Sequence, residues 1–396
     1  MKNKTEYLKE YAQIYHDELV NNIVPFWLKY SVDREFGGFT FALDRDGTVM
    51  DTTKVVWIHG RFAWLLATMY HEVEPRKEWL EMSKHGIDFL EKHCFDTDGR
   101  MYFLNLEDGT PLRKRRYVFS ETFAAIAFAA YAKASGDMSY AQKALDLFKL
   151  ILHYKNTPGL LQPKNIHGAR DAKGHSMCMI LINTAYEIRK VIQDPILDQQ
   201  IEESIQEIKR DFMKPEFKAV LETVGPNGEF INSIDGRCIN PGHSIETAWF
   251  ILEEAKHRGW DKELIEMGTT ILDWSWQWGW DDQHGGILYF RDCKNFPPQE
   301  YWHDMKFWWP QNEALIATLY AYQATKDEKY LDWHKKIHTY QFTHFPDKTY
   351  GEWYGYLHKD GSVSQPAKGN FFKGPFHIPR MLLKGWQLSS EIIAKG

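Results

Sequence analysis

Signals for the starts of helices recur along this chain at nearly equal intervals, and this repeat limits the choice of fold more than any other feature. Each start opens a run of apolar residues at helical spacing, and several are framed by Gly or Pro. Successive equivalent positions are separated by 60, 62, 63, 67 and 64 residues, and they are Arg61, Glu121, Asn183, Glu246, Glu313 and His377. Six units of 66 residues account for all 396 residues. Because each unit is long enough for two helices, we expect about twelve helices.

Segments rich in Asp and Gly connect the predicted helices and resemble one another. They cover residues 33–39, 96–102, 281–287 and 347–353. Asp-Gly pairs follow several of them, as at Asp46-Gly47 and Asp108-Gly109. Gly and Asp readily adopt the positive φ values that tight turns require. The pattern predicts short β-hairpins that lead into the next helix.

The repeat leaves two architectures, an open solenoid of helix pairs and a closed ring. An open solenoid needs capping repeats with a polar outer face, whereas a closed ring does not. The chain shows neither such caps nor a linker rich in Pro, Gly or Ser. We therefore predict an all-α (α/α)6 barrel, with hairpin loops at one mouth, formed as a single domain by residues 1–396.

Composition and charge exclude several classes of protein. The net charge is −6 and there is no basic patch interleaved with aromatics, so we expect no nucleic-acid partner. No run of about 18 apolar residues is present, so we expect no membrane span. The charged start of the chain does not resemble a secretory signal. The scattered residues Cys94, Cys178, Cys238 and Cys293 are typical of free thiols, which predicts a cytoplasmic protein.

In a closed ring the inner helices begin at the same mouth, so their first-turn side chains line one pocket. His243 and Glu246 are three residues apart and share a helical face, and His377 and Arg380 repeat this spacing. Aromatics make up 15% of the chain, and Trp and Tyr often stack on sugars, although cores also use them. We predict His243, His377, Arg61, Glu246 and Glu313 as catalytic. The predicted substrate-binding residues are Trp57, Glu121, Met179, Asn183, Trp309 and Arg380.

Other functions fit parts of this pattern. His334 and His338 have the spacing of two metal ligands on one helix, but no third ligand accompanies them. We interpret them as a solvated face and predict no metal site. Glu246 with Glu313 or Glu121 could flank a glycosidic bond, which keeps a glycoside hydrolase open. A non-catalytic sugar-binding protein is the third alternative.

Several stretches carry a more specific resemblance. They read KVVWIHGR at 54–61, RYVFSE at 116–121, NPGHSIE at 240–246, KFWWPQNE at 306–313, YGEW at 350–353 and FHIPR at 376–380. Together they resemble the N-acylglucosamine 2-epimerase family, whose mammalian members are also called renin-binding protein. The likeness runs from the first predicted helix to the last thirty residues.

The resemblance implies the same (α/α)6 barrel and interconversion of N-acetylglucosamine and N-acetylmannosamine. It also implies a homodimer and ATP as an activator that is not consumed. Relatives in the superfamily epimerise cellobiose or mannose or isomerise aldoses, and several carry an extra histidine in the third-repeat helix. Here that region contains Met179, with His175 one turn upstream as a partial substitute. This difference favours an N-acyl substrate over an unmodified hexose or cellobiose.

The mechanism that we expect is inversion at C2 of the open-chain sugar by two bases. His377 removes the C2 proton, Arg61 stabilises the enediolate oxygen, and His243 returns a proton to the opposite face. Histidine can serve both roles because its ordinary pKa is about 6.5. Glu246 and Glu313 orient the imidazoles or hold sugar hydroxyls. No metal or nicotinamide is required, because no hydride leaves.

Overall fold

The structure is a computed structural model that describes residues 4–114, 117–162 and 165–395. Arg116, the first residue of one family-like stretch, and residues 1–3 of the charged start lie outside the described residues. The helices in this part of the chain are α1 (Lys4–Glu18), α2 (Val24–Tyr30), α3 (Val56–Glu72), α4 (Lys77–His93), α5 (Phe119–Ser135), α6 (Ser139–Asn156), α7 (His175–Arg189), α8 (Pro195–Glu207), α9 (Pro241–His257), α10 (Lys262–Gly279), α11 (Trp308–Thr325), α12 (Glu328–His344) and α13 (His377–Lys395).

The helices form two concentric layers. In the described part of the chain, α3, α5, α7, α9, α11 and α13 form the inner ring, and each packs on its neighbours in that order. The outer partners are α4, α6, α8, α10, α12 and α1, which packs on α13. A π-helical turn, Leu19–Ile23, joins α1 to α2 in one helical stretch. The predicted (α/α)6 barrel is confirmed.

Burial explains why the two layers separate. The inner helix α11 buries every residue from Trp308 to Gln323, as expected for a helix surrounded by other helices. The outer helix α4 buries one stripe, including Trp79, Ser83 and Ile87, and exposes the opposite face. Burial of each apolar side chain stabilises the folded state by about 1.5–3 kcal/mol. A helix with apolar residues on all sides is therefore placed in the inner layer, and a helix with one apolar stripe in the outer layer.

The first helix completes the barrel through an aromatic cluster that the sequence interpretation missed. On α12, His334 and His338 are buried rather than solvated. Tyr7 lies 2.5 Å from His334 Nδ1, and the Tyr15 hydroxyl lies 2.8 Å from His338 Nδ1. Tyr11 stacks on His338 with ring centroids 3.6 Å apart. The interpretation of these histidines as a solvated face is therefore wrong, because α1 covers them.

Short strands connect the layers. They are β1 (Ala42–Leu43), β2 (Val49–Asp51), β3 (Lys54–Val55), β4 (Tyr102–Asn105), β5 (Pro111–Lys114), β6 (Lys173–Gly174), β7 (Met213–Lys214), β8 (Ala219–Val220), β9 (Thr223–Val224), β10 (Cys238–Ile239), β11 (Arg291–Asp292), β12 (Lys306–Phe307), β13 (Tyr356–Leu357) and β14 (Val363–Gln365). The antiparallel sheets pair β1 with β2, β3 with β4 and β5, β6 with β9, β7 with β8, β10 with β11, and β12 with β13 and β14. Because β3, β6, β10 and β12 each directly precede an inner helix or lie one residue before it, the strands lie at the mouth where the inner helices begin.

The repeated Asp-Gly segments are turns that attach the hairpins to the inner helices. Asp33 accepts backbone N–H bonds from within its own turn and pairs with Lys54, at 2.5 Å, just before α3. Asp281 does the same with Lys306, at 2.8 Å, just before α11. Both lysines are fully buried, so each pair fixes the start of an inner helix. Gly38 adopts φ +67°, a value that an L side chain rarely takes.

Two smaller predictions concern the whole chain. Cys94, Cys178, Cys238 and Cys293 are all free thiols. None of the helices in the described part of the chain combines the length and the apolarity that a bilayer span requires.

Candidate active site

A cavity of about 480 Å³ opens at the mouth where the inner helices begin. All six inner helices contribute side chains to it from their first turns or from the residues just before them, and loop residues complete the rim. The lining residues are Trp57, Arg61, Phe119, Phe123, Ser176, Met179, Ile180, His243, Glu246, Tyr289, Trp302, Phe307, Trp308, Trp309, Tyr356, Phe372, Phe376, His377 and Arg380. The volume is typical of a small-molecule site.

The cavity has two chemically different sides. Helices α9 and α13 supply its imidazoles, a carboxylate and a guanidinium, and α11 supplies two indoles. The part of the wall from α5 and α7 carries Phe119, Phe123, Met179 and Ile180, with Ser176 as its one polar side chain among the described lining residues. A bound molecule would therefore place its reactive polar part against α9 and α13.

His377 is held as a neutral base. Its Nδ1 lies 2.7 Å from Glu313 Oε1, and since a carboxylate only accepts, Nδ1 carries the proton and Nε2 is left for a ligand. Burial, followed by the positive charges of Arg380 and Arg61, lowers the pKa of His377 well below its ordinary value. Glu313 does not reverse this effect because its charge is shared with Arg380, 2.8 Å away. At neutral pH this imidazole can accept a proton.

The pKa of His243 shifts in the opposite direction. Its Nδ1 lies 2.9 Å from Glu222 Oε2, which again leaves Nε2 for a ligand. Burial disfavours the imidazolium, but the negative charges of Glu222, Glu246 and Glu313 outweigh it and raise the pKa of His243. The pKa values of the two histidines therefore shift apart, because one histidine faces mainly guanidinium groups and the other carboxylates.

A single indole contacts both imidazoles. The ring centroid of Trp309 is 5.0 Å from that of His243 and 5.8 Å from that of His377. Both imidazoles therefore border the same small volume, as a transfer of protons to and from one carbon requires.

A buried ion network supports His377 from behind. Arg380 Nη2 donates to Glu246 Oε1 at 2.5 Å and pairs with Glu313. The other oxygen of Glu313 accepts a bond from the indole of Trp249 at 2.7 Å. His377, Glu246 and Glu313 lie close enough to ligate a metal ion, but the guanidinium of Arg380 already supplies the positive charge there. The donor set thus fits an ion network better than a metal site.

Arg61 is the least compensated charge of the cavity. Its guanidinium packs against the rings of Trp57, Phe123 and Phe376, at 4.5, 4.1 and 4.7 Å from their centroids. Within residues 4–114, 117–162 and 165–395 no carboxylate forms an ion pair with it, and its Nε has no hydrogen-bond partner. Burial, followed by the charge of Arg380, lowers its pKa to about 9. A buried guanidinium without an anion is suited to stabilise negative charge on a ligand.

Comparison with known proteins agrees with this chemistry. A family model for N-acylglucosamine 2-epimerase (GlcNAc 2-epimerase) matches residues 37–374. The N-acylglucosamine 2-epimerase of Rattus norvegicus is 32% identical over 407 residues, which cover 100% of this chain and 96% of the rat protein. That of Homo sapiens is 32% identical over 408 residues, with 100% and 94% covered.

The chain belongs to the N-acylglucosamine 2-epimerase family. It is accordingly an isomerase of the epimerase type. Among solved structures, the cellobiose 2-epimerase from Bacillus thermoamylovorans superposes with a TM-score of 0.85 at 23% identity, over 96% of this chain and 99% of that one. At this level of identity the likeness confirms the fold.

Most of the residues predicted from the family resemblance and the repeat meet in this cavity. Eight of them line it: Arg61, His243, His377, Glu246, Trp57, Met179, Trp309 and Arg380. A ninth, the fully buried Glu313, lies behind the wall and contacts His377. Their placement agrees with the predicted roles but does not by itself test them.

Glu121 and Asn183 are not among the lining residues of the cavity. The Glu121 carboxylate accepts bonds from Arg100 Nε, at 2.6 Å, and from the backbone N–H of Met101, at 2.9 Å. It therefore ties α5 to the preceding turn. Asn183 is buried one turn further along α7 than Met179. The geometry gives neither residue a direct contact with a bound sugar.

Sequence reasoning missed other residues of the site. Tyr289 and Trp302 line the cavity from loops and Tyr356 from β13, where the helical repeat carries no information. Glu222 was also missed, because it lies between β8 and β9. His175, considered above as a partial substitute for an extra histidine, is fully buried and does not reach the cavity. Its Nε2 lies 3.1 Å from the hydroxyl of Thr247.

Proposed function

We propose that this protein interconverts N-acetylglucosamine and N-acetylmannosamine by inverting C2 of the open-chain sugar. The observation that carries the proposal is the pair of imidazoles that both contact Trp309, with the pKa of His243 raised and the pKa of His377 lowered. Inversion needs a base on one face of C2 and an acid on the other. The opposite pKa shifts favour His377 as the base and His243 as the acid.

In the forward step, Nε2 of neutral His377 takes the C2 proton as the C–H bond breaks. The electron pair forms the C1–C2 double bond of an enolate that keeps the acetamido group on C2, and negative charge moves to the C1 oxygen. His243 then gives its proton to the opposite face of C2, and the C1 carbonyl re-forms. One proton is taken and one is returned, so the reaction is balanced. In the reverse direction the two histidines exchange roles.

Arg61 would stabilise the enolate oxygen on C1. Its guanidinium borders the cavity without a protein anion among the described residues, so it can bind the oxygen on which charge develops. A donor aimed at such an oxygen contributes about 2.7–4 kcal/mol to catalysis. Glu246 lines the cavity and can accept a bond from a sugar hydroxyl, while Glu313 orients His377.

The apolar side of the cavity supports an N-acyl substrate. Phe119, Phe123, Met179 and Ile180 offer an apolar surface in the same cavity for the acyl methyl group. The relatives with 32% identity over the whole chain are named N-acylglucosamine 2-epimerases, whereas a cellobiose 2-epimerase from Ruminococcus albus is 24% identical. An unmodified hexose would leave this surface without a partner. Epimerisation of mannose or cellobiose is therefore the second choice.

The carboxylates do not support glycoside hydrolysis. Hydrolysis requires two carboxyl groups that flank the bond to be cut. Glu313 is fully buried and engaged by His377 and Arg380, and Glu121 is engaged by Arg100. This leaves Glu246 as the one member of the predicted carboxylate set that lines the cavity.

The proposal also covers the cofactor requirement, the cellular location, the oligomeric state and the activator. The chemistry requires no cofactor, because the proton taken at C2 is replaced by another proton and no hydride leaves. We further propose a cytoplasmic homodimer and ATP as an activator that is not consumed. Family resemblance supports the homodimer and ATP, and the free cysteines support the cytoplasmic location.

The test is proton NMR of the purified protein with N-acetylmannosamine, mannose and cellobiose in separate tubes of D2O, with and without ATP. We expect conversion of N-acetylmannosamine with deuterium incorporated at C2. His243→Asn and His377→Asn should each abolish epimerisation. Epimerisation retained by either variant contradicts the two-base mechanism, and turnover of mannose or cellobiose alone contradicts the choice of substrate.

A further inference from the structure

Glu222 contacts His243 from outside the helical repeat. It lies in the loop between β8 and β9, and its Oε2 is 2.9 Å from His243 Nδ1. Its role follows neither from the positions shared by the repeats nor from the family-like stretches. The contact has the same form as that between Glu313 and His377, so each imidazole of the cavity is held by one carboxylate.

The backbone around Glu222 is fixed from two sides. Its carbonyl accepts the N–H of His175, at 3.0 Å, where α7 begins. Its own N–H donates to the carbonyl of Cys238, also at 3.0 Å, just before α9. The loop thereby joins the starts of two adjacent inner helices, and the carboxylate is presented to His243 in one orientation.

A second imidazole lies behind the carboxylate. His175 Nδ1 is 3.7 Å from Glu222 Oε1, and both atoms are buried without a hydrogen-bond partner among the described residues. On the far side of the ring, Nε2 lies 3.1 Å from the hydroxyl of Thr247. The order His175, Glu222, His243 leads from the core to the cavity.

We propose that Glu222 is a positioning residue for epimerisation, which orients His243 and stabilises its imidazolium form, with His175 supporting the carboxylate from behind. The proposal rests on the proposed function for its catalytic consequence. A carboxylate bonded to Nδ1 fixes the tautomer and the ring orientation, so that Nε2 points at the substrate. In this way a side chain that does not touch the sugar decides which histidine begins the reaction as the acid.

Other charged groups also face His243. They are Glu246 on its own helix, Glu313 and His377 from neighbouring inner helices, and Arg380, which binds both carboxylates. Because Arg380 partly neutralises Glu246 and Glu313, Glu222 is the nearest carboxylate that Arg380 does not engage. A carboxylate this close raises a pKa by roughly 1–3 units, so its loss should lower the pKa of His243 by at least about 1 unit.

Loss of Glu222 should change how kcat/KM depends on pH. The productive free enzyme carries one proton shared between two histidines, so kcat/KM follows a bell-shaped pH profile. His243, the group of higher pKa, sets the basic limb, and His377 sets the acidic limb. Loss of Glu222 should move the basic limb to lower pH and leave the acidic limb in place. Both directions of the reaction must shift together, because the equilibrium constant fixes the ratio of their kcat/KM values.

The experiment compares Glu222→Gln with Glu216→Gln, which removes an exposed carboxylate from the same hairpin region. Imidazole NMR of histidine-labelled protein, without substrate, follows the titration of His243, assigned by its loss in His243→Asn. We expect the midpoint to fall by at least about 1 pH unit in Glu222→Gln and to stay unchanged in Glu216→Gln. At neutral pH, kcat/KM should fall roughly 10- to 100-fold, the range for carboxylates that orient functional histidines.

The outcomes separate this proposal from the proposed function. An unchanged His243 midpoint, or a kcat/KM profile that falls uniformly without moving its basic limb, overturns the role of Glu222. If the wild-type protein turns over no sugar, the proposed function fails, while the NMR titration still tests Glu222. Glu222→Asp keeps the negative charge on a shorter side chain, so the pKa of His243 should stay partly raised. It takes the place of Glu222→Gln if that variant does not fold.

Discussion

Arg61→Met should separate catalysis from stability in this protein. Methionine approximates the apolar stem of arginine and keeps contacts with the rings of Trp57, Phe123 and Phe376, but it removes the guanidinium. Loss of one donor to a developing oxyanion lowers kcat by about 100- to 1,000-fold. Arg61 also supplies a full charge in a buried site, so we expect a loss near the upper end of that range.

The effect on stability should be small or favourable. The pKa of Arg61 is lowered to about 9 by burial first and by Arg380 second. At about 1.36 kcal/mol for each pKa unit, the charge costs the folded state roughly 5 kcal/mol relative to an ordinary pKa of 12.5. Three ring contacts offset this by about 0.5–2 kcal/mol each. The terms nearly cancel, so the melting temperature of Arg61→Met should equal or exceed that of the wild type.

The assay combines initial rates with thermal unfolding. Epimerisation of N-acetylmannosamine is followed by NMR, and unfolding by circular dichroism in the same buffer. Arg61→Lys keeps the charge but not the planar fork, so it should lose less activity than Arg61→Met. A kcat within tenfold of wild type would refute the role of Arg61 at the oxyanion. A melting temperature several degrees lower would refute the claim that its charge is uncompensated.

Three further predictions follow from the buried contacts. Glu313→Gln removes the negative charge that holds His377 and Arg380. We expect kcat to fall about 100-fold in initial-rate kinetics and the melting temperature to fall in thermal unfolding. Met179→Gln should lower kcat/KM for the N-acetyl sugar about tenfold but alter any activity on mannose less, since it disturbs the acyl surface. Burial lowers the pKa of His338 to about 3, so stability should fall as the pH drops below 6.5, and His338→Phe should weaken this dependence in melting curves.

Glu313→Gln and Met179→Gln each have a matched control variant. Glu216→Gln removes a carboxylate without touching the cavity and should change neither rate nor melting temperature. Met82→Gln makes the same replacement as Met179→Gln on the outer helix α4 and should leave the preference between sugars unchanged. For His338, the sign follows from linkage: the unfolded state takes up a proton near pH 6.5 and the folded state does not. A melting temperature independent of pH between 4 and 7 would contradict that prediction.

The repeat of helix starts was enough to predict the barrel, because helices that occupy the same place in each repeat must begin at the same mouth of a closed ring. It also predicted the meeting of His243, His377 and Arg61, which lie within the first two turns of their inner helices. Position in the repeat does not decide side-chain direction, however. Glu121 occupies an equivalent turn, yet Arg100 from the preceding loop binds its carboxylate. A long-range partner of this kind has no signature in local sequence.

The missed features share the same cause. Glu222 acts from a loop whose position is set by hydrogen bonds to the starts of α7 and α9. His334 and His338 lie near Lys335 and Lys336, so local composition indicated solvent. Their burial depends on tyrosines more than 300 residues away, with separations of 319 to 327 positions. Patterns within one helix report its own faces, but not which distant segment covers them.

The packing of α1 on α13 has a consequence for biosynthesis. His377 and Arg380 lie on the inner helix that is made last, and its outer partner is the helix that is made first. Ring closure must wait until the ribosome has delivered the sixth unit, so a nascent chain with five units has neither a closed wall nor a complete pair of imidazoles. Contacts between such distant segments slow folding. The emerging protein would therefore depend on protection of its open edge until the two ends meet.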